Sequence, residues 1–244
     1  MHIGSSTDIG KHREINQDSY FVSEEQELPL FIIADGMGGH KAGEVASKMA
    51  IDIIKEMILE NAEDIKLEEN IIAEIIREAI KSANVKVYEV SKEKEEFSGM
   101  GTTITMTYIL DNKAFIGQVG DSRAYLLRDN ELIQLTKDHS LVAELLRNGS
   151  ITEEEAECHP QRNLITRAVG TDEGIDIDIV TEKLYEGDLI LLCTDGLTNM
   201  VDDNVIKEVL LKRKDIQTAC DELVNLANNN GGYDNITVVA VKIV

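Results

Sequence analysis

Two apolar segments of this chain each end in Asp-Gly. They read LPLFIIADG over Leu28 to Gly36 and DLILLCTDG over Asp188 to Gly196. Near-continuous apolar runs of this kind are typical of strands that are buried on both faces. We therefore expect two buried strands, each of which carries a carboxylate, Asp35 or Asp195, to its C-terminal end and then turns on the glycine. Because a buried carboxylate is costly unless it is paired or bound to a cation, the pattern predicts a shared acidic site for a hard cation such as Mg²⁺ or Mn²⁺.

The composition is that of a globular chain with a strongly acidic surface. The 244 residues carry 46 Asp or Glu against 24 Lys or Arg, which gives a formal net charge of −22. Such a charge repels phosphate backbones and anionic lipid, so we expect no nucleic-acid and no membrane partner. The cysteines lack Cys-x-x-Cys spacing, and no apolar run suits a membrane span or a signal peptide. We expect a cytoplasmic monomer with a single domain over residues 1–244.

The order of the elements predicts an α+β layered sandwich. Short strands in the first part of the chain precede two amphipathic helices over 43–60 and 69–94, and a block of strands follows over 102–135. Asp111-Asn112 and Asp129-Asn130 are hairpin turn signals within this block. The remaining strands and helices are expected over 175–181, 189–193, 203–212, 216–228 and 235–244. This order lacks the βαβ alternation of a doubly wound sheet, which favours hairpin-connected sheets covered by pairs of helices.

Three further aspartates stand beside predicted turns, namely Asp18 in NQDSY, Asp121 in VGDSRAY and Asp234 in GYDNITV. Taken singly, each is explained by the preference of Asp for tight turns. Clustered together, such carboxylates would repel one another in the absence of a metal. Arg13 in REINQD is either a surface cation or a bidentate clamp on a phosphate. The glycines of GMGGHKAG lack the ending of a P-loop, so we expect a tight turn that lets the Gly36 carbonyl face a cation.

Eight segments of the chain form an ordered set. They are REINQD, ADGMGGHKAGEVAS, GMGTTIT, VGDSRAYLL, LTKDHSLV, NLITRAVG, GDLILLCTDGLT and DNITVV. In this order they resemble the PPM family, the type 2C metal-dependent serine/threonine protein phosphatases, and the chain is similar to a compact bacterial member over nearly all of residues 1–244. The resemblance implies a four-layer α-β-β-α sandwich, in which two antiparallel sheets are flanked by helix pairs, with a flap subdomain at about 139–170.

The resemblance also implies a centre of two Mn²⁺ or Mg²⁺ ions, to which bacterial relatives add a third. Asp35 would bridge the first two ions. The other ligands that it implies are Asp195 and Asp234 on the first ion, the Gly36 carbonyl on the second, and Asp121 with Asp195 on the third. Asp18 would lie near the second ion and contact it through water. Arg13 would hold the substrate phosphate.

The implied chemistry is direct hydrolysis of phosphoserine or phosphothreonine in proteins by a water that bridges the two ions. The donor of the proton to the leaving group stays open, because Met37 stands where animal members carry a histidine; His40 and metal-bound water are the candidates. The expected partners are phosphorylated proteins, among them a Ser/Thr kinase whose action the enzyme opposes.

Two other interpretations remain at this point. A catalytically inactive PPM-like binding module should have lost its metal ligands, whereas Asp35, Asp195, Asp234 and Arg13 are all present. A metal-dependent hydrolase of small phosphoesters would be distinguished by its turnover of small esters against phosphopeptides. The flap is expected to contact the substrate through its cations, or else to be an ordinary surface loop; its basic residues are Arg147, His159, Arg162 and Arg167.

Overall fold

The computed structural model describes residues 1–23, 29–39, 42–67 and 71–244. Within these residues the strands are β1 (His2–Asp8), β2 (Asp18–Val22), β3 (Leu30–Met37), β4 (Gly101–Thr102), β5 (Ile104–Leu110), β6 (Lys113–Val119), β7 (Arg123–Arg128), β8 (Glu131–Gln134), β9 (Asp178–Lys183), β10 (Leu189–Cys193) and β11 (Ile236–Lys242). The helices are α1 (Ala42–Glu60), α2 (Ala62–Leu67), α3 (Ile72–Glu93), α4 (Leu141–Arg147), α5 (Glu153–Glu157), α6 (Asp195–Thr198), α7 (Asp203–Lys212) and α8 (Ile216–Asn229).

The strands form two antiparallel sheets. One has the order β1-β11-β10-β7-β8, and the other has the order β2-β3-β5-β6-β9 with the short β4 paired to the end of β3. The two predicted Asp-Asn turns join β5 to β6 and β7 to β8. Asp111, Asn112, Asp129 and Asn130 all have positive φ, between 47° and 64°. This left-handed backbone is the one that two-residue hairpin turns of type I′ require, and Asn and Asp tolerate it best.

Three apolar cores separate the layers of the sandwich. Along β3, Leu30 and Ile32 face the core that α1 and α3 cover, whereas Phe31 and Ile33 face the other sheet. Along β10, the alternation places Leu191 against α7 and α8 and its neighbours between the sheets. Both predicted strands are therefore buried on both faces, and the predicted four-layer α-β-β-α architecture is confirmed.

The glycines of the two Asp-Gly pairs do not form the expected turns. β3 continues through Asp35 and Gly36 to Met37, and Gly36 pairs with Thr102 of β4. Asp195 and Gly196 form the start of helix α6 rather than a turn. The prediction of a turn at each glycine was wrong because both glycines are required by close backbone packing. A Cβ on Gly36 would lie 2.1 Å from the Gly43 carbonyl oxygen, and one on Gly196 would lie 1.9 Å from the Asn235 carbonyl oxygen.

Other differences from the predicted elements are small. The strand expected over 175–181 is β9, which begins at Asp178, and the short helices α2 and α6 were not predicted. The start of the helix expected over 69–94 falls partly outside the described residues, and α3 begins at Ile72. None of the helices in the described ranges has the length and apolar character needed to cross a bilayer.

Candidate active site

A cavity of about 250 Å³ lies at one end of the sandwich, where β3, β6 and β10 end and β7 and β11 begin. Most of the predicted site residues line it, and they come from five separate parts of the chain. Its described lining is Arg13, Gln17, Asp35, Gly36, Met37, Gly38, Thr103, Asp121, Asn163, Ile165, Asp195 and Asp234. Antiparallel pairing brings the end of one strand beside the start of the next, so residues distant in sequence meet here. His40, the candidate proton donor, lies outside the described residues.

Asp18 and Asp35 are directly opposed on the neighbouring strands β2 and β3. Two carboxylates in this position repel each other, and here Asp18 is buried and Asp35 is half-buried at the cavity wall. Thr194 Oγ1 donates a hydrogen bond of 2.9 Å to Asp18 Oδ2, while Asp18 Oδ1 is buried without a hydrogen-bond donor. Burial, followed by the charges of Asp195 and Asp234, raises the pKa of Asp18 to about 7 even though Thr237 and Thr194 oppose the shift.

The backbone of Asp35 is fixed by two threonines. Thr103 donates from its backbone N–H to the Asp35 carbonyl at 2.8 Å, and the Asp35 N–H donates to Thr103 Oγ1 at 2.9 Å. Thr102 Oγ1 donates to the same carbonyl at 2.9 Å. Burial, together with the neighbouring charges of Asp18 and Asp195, raises the pKa of Asp35 well above its usual range. The backbone of Asp35 is thus fixed by three hydrogen bonds, and its carboxyl group has surroundings that disfavour the ionised form.

Asp195 opens helix α6, where Asn199 Nδ2 donates to Asp195 Oδ2 at 2.9 Å. Its Oδ1 is buried and has no hydrogen-bond donor. Burial and the charge of Asp234 raise the pKa of Asp195 to about 6, and proximity to the Asp35 carboxyl and to Asn199 moderates the rise. The carboxyl groups of Asp35 and Asp195 are therefore neighbours, and a cation bound between them would offset their mutual repulsion.

Asp121 lies in the tight turn between β6 and β7. The turn contains Gly120 with a φ of +106°, and the Gly120 N–H donates to His139 Nδ1 at 3.1 Å. Burial, then the charges of Asp195 and Asp138, raises the pKa of Asp121 to about 7. Asp121 is thus electrostatically part of the same acidic cluster, which we define as Asp18, Asp35, Asp121, Asp195 and Asp234.

Arg13 is the cation at the edge of this cluster. Its Nη2 forms an ion pair of 2.7 Å with Asp234 Oδ2, and 49% of the Arg13 side chain is exposed. The loop that carries Arg13 is held by the buried Asn235, whose Nδ2 donates to the carbonyls of Ile9 and Ile15 at 2.9 and 3.0 Å. The Gln17 N–H in turn donates to Asn235 Oδ1 at 2.8 Å. The guanidinium therefore faces both the solvent and the carboxylates.

The flap contributes to the cavity and to a larger groove beside it. Asn163 and Ile165 line the site cavity, and Arg147 and Arg162 line the groove. Two other basic residues of the flap are placed differently. Arg167 Nη1 donates to Asp178 Oδ1 at 3.1 Å, and His159 Nδ1 accepts from the Gln161 N–H within the flap itself.

The donor set fits a hard divalent cation better than it fits protein alone. Carboxylate oxygens are the ligands that Mg²⁺ and Mn²⁺ prefer, and the buried Oδ1 atoms of Asp18 and Asp195 have no other partner. In the part of the chain that the structure describes, no three His, Cys, Asp or Glu side chains already form a closed metal cage. Ion binding would thus have to draw the carboxylates of the cluster closer together.

Several residues that support the site were not identified from the sequence. They are Thr194 on Asp18, Asn199 on Asp195, Asn235 on the Arg13 loop and His139 on Gly120. The spacing of Asn199, four residues after Asp195, would have indicated a helical contact if α6 had been predicted. The contacts of His139 and Thr194 join distant parts of the chain, and no local pattern signals them.

Comparison with known proteins agrees with the ordered motifs. Residues 10–237 match the family model described as Protein phosphatase 2C. The serine/threonine phosphatase stp of Listeria welshimeri is 39% identical over 243 residues, which cover 99% of this chain and 96% of the relative.

Solved structures show the same relationship. The serine/threonine phosphatase of S. agalactiae is 40% identical and has a TM-score of 0.93. The alignment covers 100% of this chain and 99% of the other. The catalytic domain of PstP, solved in complex with 2 manganese ions, is 34% identical, with a TM-score of 0.86 over 98% of this chain and 96% of the other. The predicted resemblance and the enzyme class that it implied, a protein serine/threonine phosphatase, are confirmed. This chain belongs to the protein phosphatase 2C family.

Proposed function

We propose that this chain hydrolyses phosphoserine and phosphothreonine in proteins, with divalent cations held by the acidic cluster. The observation that carries the proposal is the pair of buried Oδ1 atoms of Asp18 and Asp195, which have no hydrogen-bond donor. An ionised carboxylate without a partner is strongly destabilising in a protein interior. Its retention beside further carboxylates is explained if a cation completes the site.

Following the family resemblance, we assign the cluster to two Mn²⁺ or Mg²⁺ ions and a third. Asp35, central and rigid, would contact the first two ions, and the solved relative with 2 manganese ions supports this number. Asp195 and Asp234 would complete one ion, and the Gly36 carbonyl and Asp18 would face the other. Asp121, beside Asp195, would serve a third ion.

Bound divalent cations supply positive charge that offsets the charge of the phosphoryl oxygens and lowers the pKa of the attacking water. The protein supplies Arg13, whose exposed guanidinium can bind two phosphate oxygens in a bidentate manner. A bound phosphate would compete with Asp234 for this guanidinium, because the two are now ion-paired at 2.7 Å. Substrate binding and the release of Asp234 are therefore coupled.

The cavity offers no free hydroxyl among its described residues for a phosphoseryl or phosphothreonyl enzyme, and we assign its carboxylates to the cations, so we propose direct hydrolysis. Among its described lining residues, Thr103 carries the one hydroxyl group. That hydroxyl lies 2.8 Å from Ser122 Oγ and accepts from the Asp35 N–H, so it is not free to attack phosphorus. Detection of a covalent phosphoryl intermediate by quench mass spectrometry would refute this step. The substrates are then phosphorylated proteins, and the activity opposes the Ser/Thr kinase that modifies them.

The experiment is hydrolysis of a phosphothreonine peptide with Mn²⁺, with and without a chelator. We expect chelation to abolish turnover of the wild type, and Asp195→Ala to lower kcat/KM by at least about a hundredfold, the scale of losing one electrostatic stabiliser. The matched control is Asp52→Asn on the exposed face of α1, which should leave turnover unchanged. Undiminished activity with chelator or in Asp195→Ala would refute the proposal. Faster turnover of small phosphate esters than of phosphopeptides would favour a small-ester hydrolase instead.

A further inference from the structure

A second and larger cavity opens beside the site cavity and shares part of its wall. Its volume is about 790 Å³, and Asp121, Asn163 and Asp195 line both cavities. The larger cavity, which we call the flap groove, is bounded by α4, by the segment that precedes α4 and by the end of α6. The site cavity of about 250 Å³ has room for a phosphorylated side chain. The flap groove has the volume of a site for several further residues of a bound chain.

One wall of the flap groove is apolar. Helix α4 presents Val142, Ala143 and Leu146 to it, and α5 adds Ala156. Leu146 is 37% exposed although it is a large apolar side chain. Such a surface next to a polar reaction site suits the flanking residues of an extended substrate peptide. Burial of their apolar area would favour binding without requiring one particular peptide sequence.

The groove also contains two exposed cations that no described carboxylate neutralises. Lys137 and Arg147 are exposed in the groove, and no described carboxylate forms an ion pair with either of them. Arg147 Nη1 donates to the Asp138 backbone carbonyl at 3.0 Å, which orients the guanidinium without cancelling its charge. Arg162 lines the same groove. The described lining holds four cationic and four carboxylate side chains, so the groove is balanced in charge within a chain of formal charge −22.

The carboxylates of the groove are mostly engaged elsewhere. Asp138 is bound in a bidentate manner by Arg123, with an Nη2–Oδ2 distance of 2.7 Å and an Nε–Oδ1 distance of 3.1 Å. Asp121 and Asp195 belong to the acidic cluster, where the proposed divalent cations would offset their charge. Of the described lining carboxylates this leaves Asp202, at the start of α7, to oppose the cations.

We infer that the flap groove binds the substrate chain beside the phosphorylated residue and selects an anionic group there. The anion is the carboxylate of a nearby Asp or Glu, or the phosphate of a second modified residue, and Lys137 and Arg147 recognise it. This inference rests on the proposed phosphatase activity and names its substrate class. Because the cations are exposed, their effect should be moderate, dependent on salt and located in KM rather than in kcat.

The test compares four phosphothreonine peptides with Mn²⁺. One has neutral flanks, one has Glu on the N-terminal side, one has Glu on the C-terminal side, and one carries a second phosphothreonine. We expect a lower KM for at least one anionic peptide. Lys137→Gln and Arg147→Gln should each reduce that preference by roughly two- to fivefold, the scale of one exposed ion pair. The preference should also decline between about 0.05 and about 0.5 M NaCl.

Controls separate this inference from the activity on which it rests. Lys86→Gln, on the outer helix α3, removes an exposed cation far from the groove and should leave the preference intact. Absence of Mn²⁺-dependent hydrolysis of all four phosphothreonine peptides by the wild type would refute the proposed activity itself. Equal KM for all four peptides, or a uniform loss for all peptides in both groove variants, would refute the groove alone. A preference for the second phosphate only, lost in both variants, would support the groove with phosphate as its anion.

Discussion

Asp18 and Asp35 occupy one of the least favourable pairings that an antiparallel sheet offers, because two like charges face each other across adjacent strands. Burial makes the pairing worse, as the raised pKa values of both groups show. A chain selected for stability alone would place neutral or apolar residues here. The proposed function would explain the pair, since the same oxygens are suited to a divalent cation.

Gly36 illustrates a different constraint. It lies in an extended strand, so no unusual φ requires glycine at this position. The requirement is space, because a Cβ would lie 2.1 Å from the Gly43 carbonyl oxygen and 2.6 Å from the Gln17 carbonyl oxygen. The start of α1 and the loop before β2 are thereby packed against the backbone that carries the predicted Gly36 ligand.

We expect Gly36→Ala to destabilise the protein by about 1–3 kcal/mol, the usual effect of overpacking, and to raise the Mn²⁺ concentration needed for half-maximal activity. The control is Gly39→Ala, because a Cβ on Gly39 has no heavy atom within 4 Å. Denaturant unfolding and Mn²⁺ activation curves measure both effects. Equal behaviour of the two variants would show that the close approach is unimportant.

His139 connects three elements around the site. Its Nδ1 accepts from Gly120 in the β6–β7 turn, and its Nε2 lies 3.3 Å from Asp178 Oδ2 of β9. Its carbonyl accepts from the Thr166 N–H, which closes the base of the flap at 2.8 Å. The residue as a whole is only 2% exposed. It therefore couples the position of the Asp121 turn to the position of the flap.

We expect His139→Asn to retain most activity, because the Asn Oδ1 can occupy the place of Nδ1 and accept from Gly120. His139→Gln lacks an acceptor there and should lose roughly tenfold in kcat/KM, the effect of an unsatisfied buried donor, with a weaker response to high Mn²⁺. Steady-state kinetics at several Mn²⁺ concentrations, alongside unfolding midpoints, measure this. If both variants lose stability and activity in parallel, His139 has a general packing role instead.

The strands and hairpins were predictable because their signals are local. Apolar runs such as Leu30 to Ala34 and the Asp111-Asn112 turn carry their structure in a few neighbouring residues. The glycines at 36 and 196 were misassigned because the atoms that exclude a side chain belong to Gly43 and Asn235, which pack against them only in the fold. Helix α6 is shorter than any helix that is stable alone, so its formation depends on tertiary contacts.

The arrangement of the five acidic residues follows from the sandwich as a unit. β2 and β3 belong to one sheet and β10 and β11 to the other, so the acidic cluster lies where the two sheets end together. The two Asp-Gly strands indicated a shared acidic site from the sequence. The roles of Asp18, Asp121, Asp234 and Arg13 came from the family resemblance, because turn aspartates look alike before the fold brings them together.

Stability of the metal-free protein should fall as pH rises from about 4 to about 7. The pKa values of Asp18 and Asp121 are raised to about 7 and that of Asp195 to about 6, whereas Asp in an unfolded chain titrates near about 3.9. Between these values the folded state holds more protons, so a rise in pH favours unfolding. Excess Mn²⁺ should reverse the trend, because the ligands must ionise to bind it.

Unfolding midpoints measured across this pH range give the change of stability with pH, once in chelator and once in Mn²⁺. The double variant Asp18→Asn, Asp121→Asn should flatten the slope in chelator, since two of the raised groups no longer titrate. An unchanged slope in that variant would mean that other acidic residues cause the pH dependence.

Equilibrium dialysis of Mn²⁺ at pH 8 tests whether the acidic cluster is a metal centre. We predict that the wild type binds two or more ions per chain, and that Asp35→Asn loses tight binding of both principal ions because Asp35 is shared between them. Asp52→Asn should bind as the wild type does. Absence of tight Mn²⁺ binding by the wild type, or full binding by Asp35→Asn, would contradict the assignment.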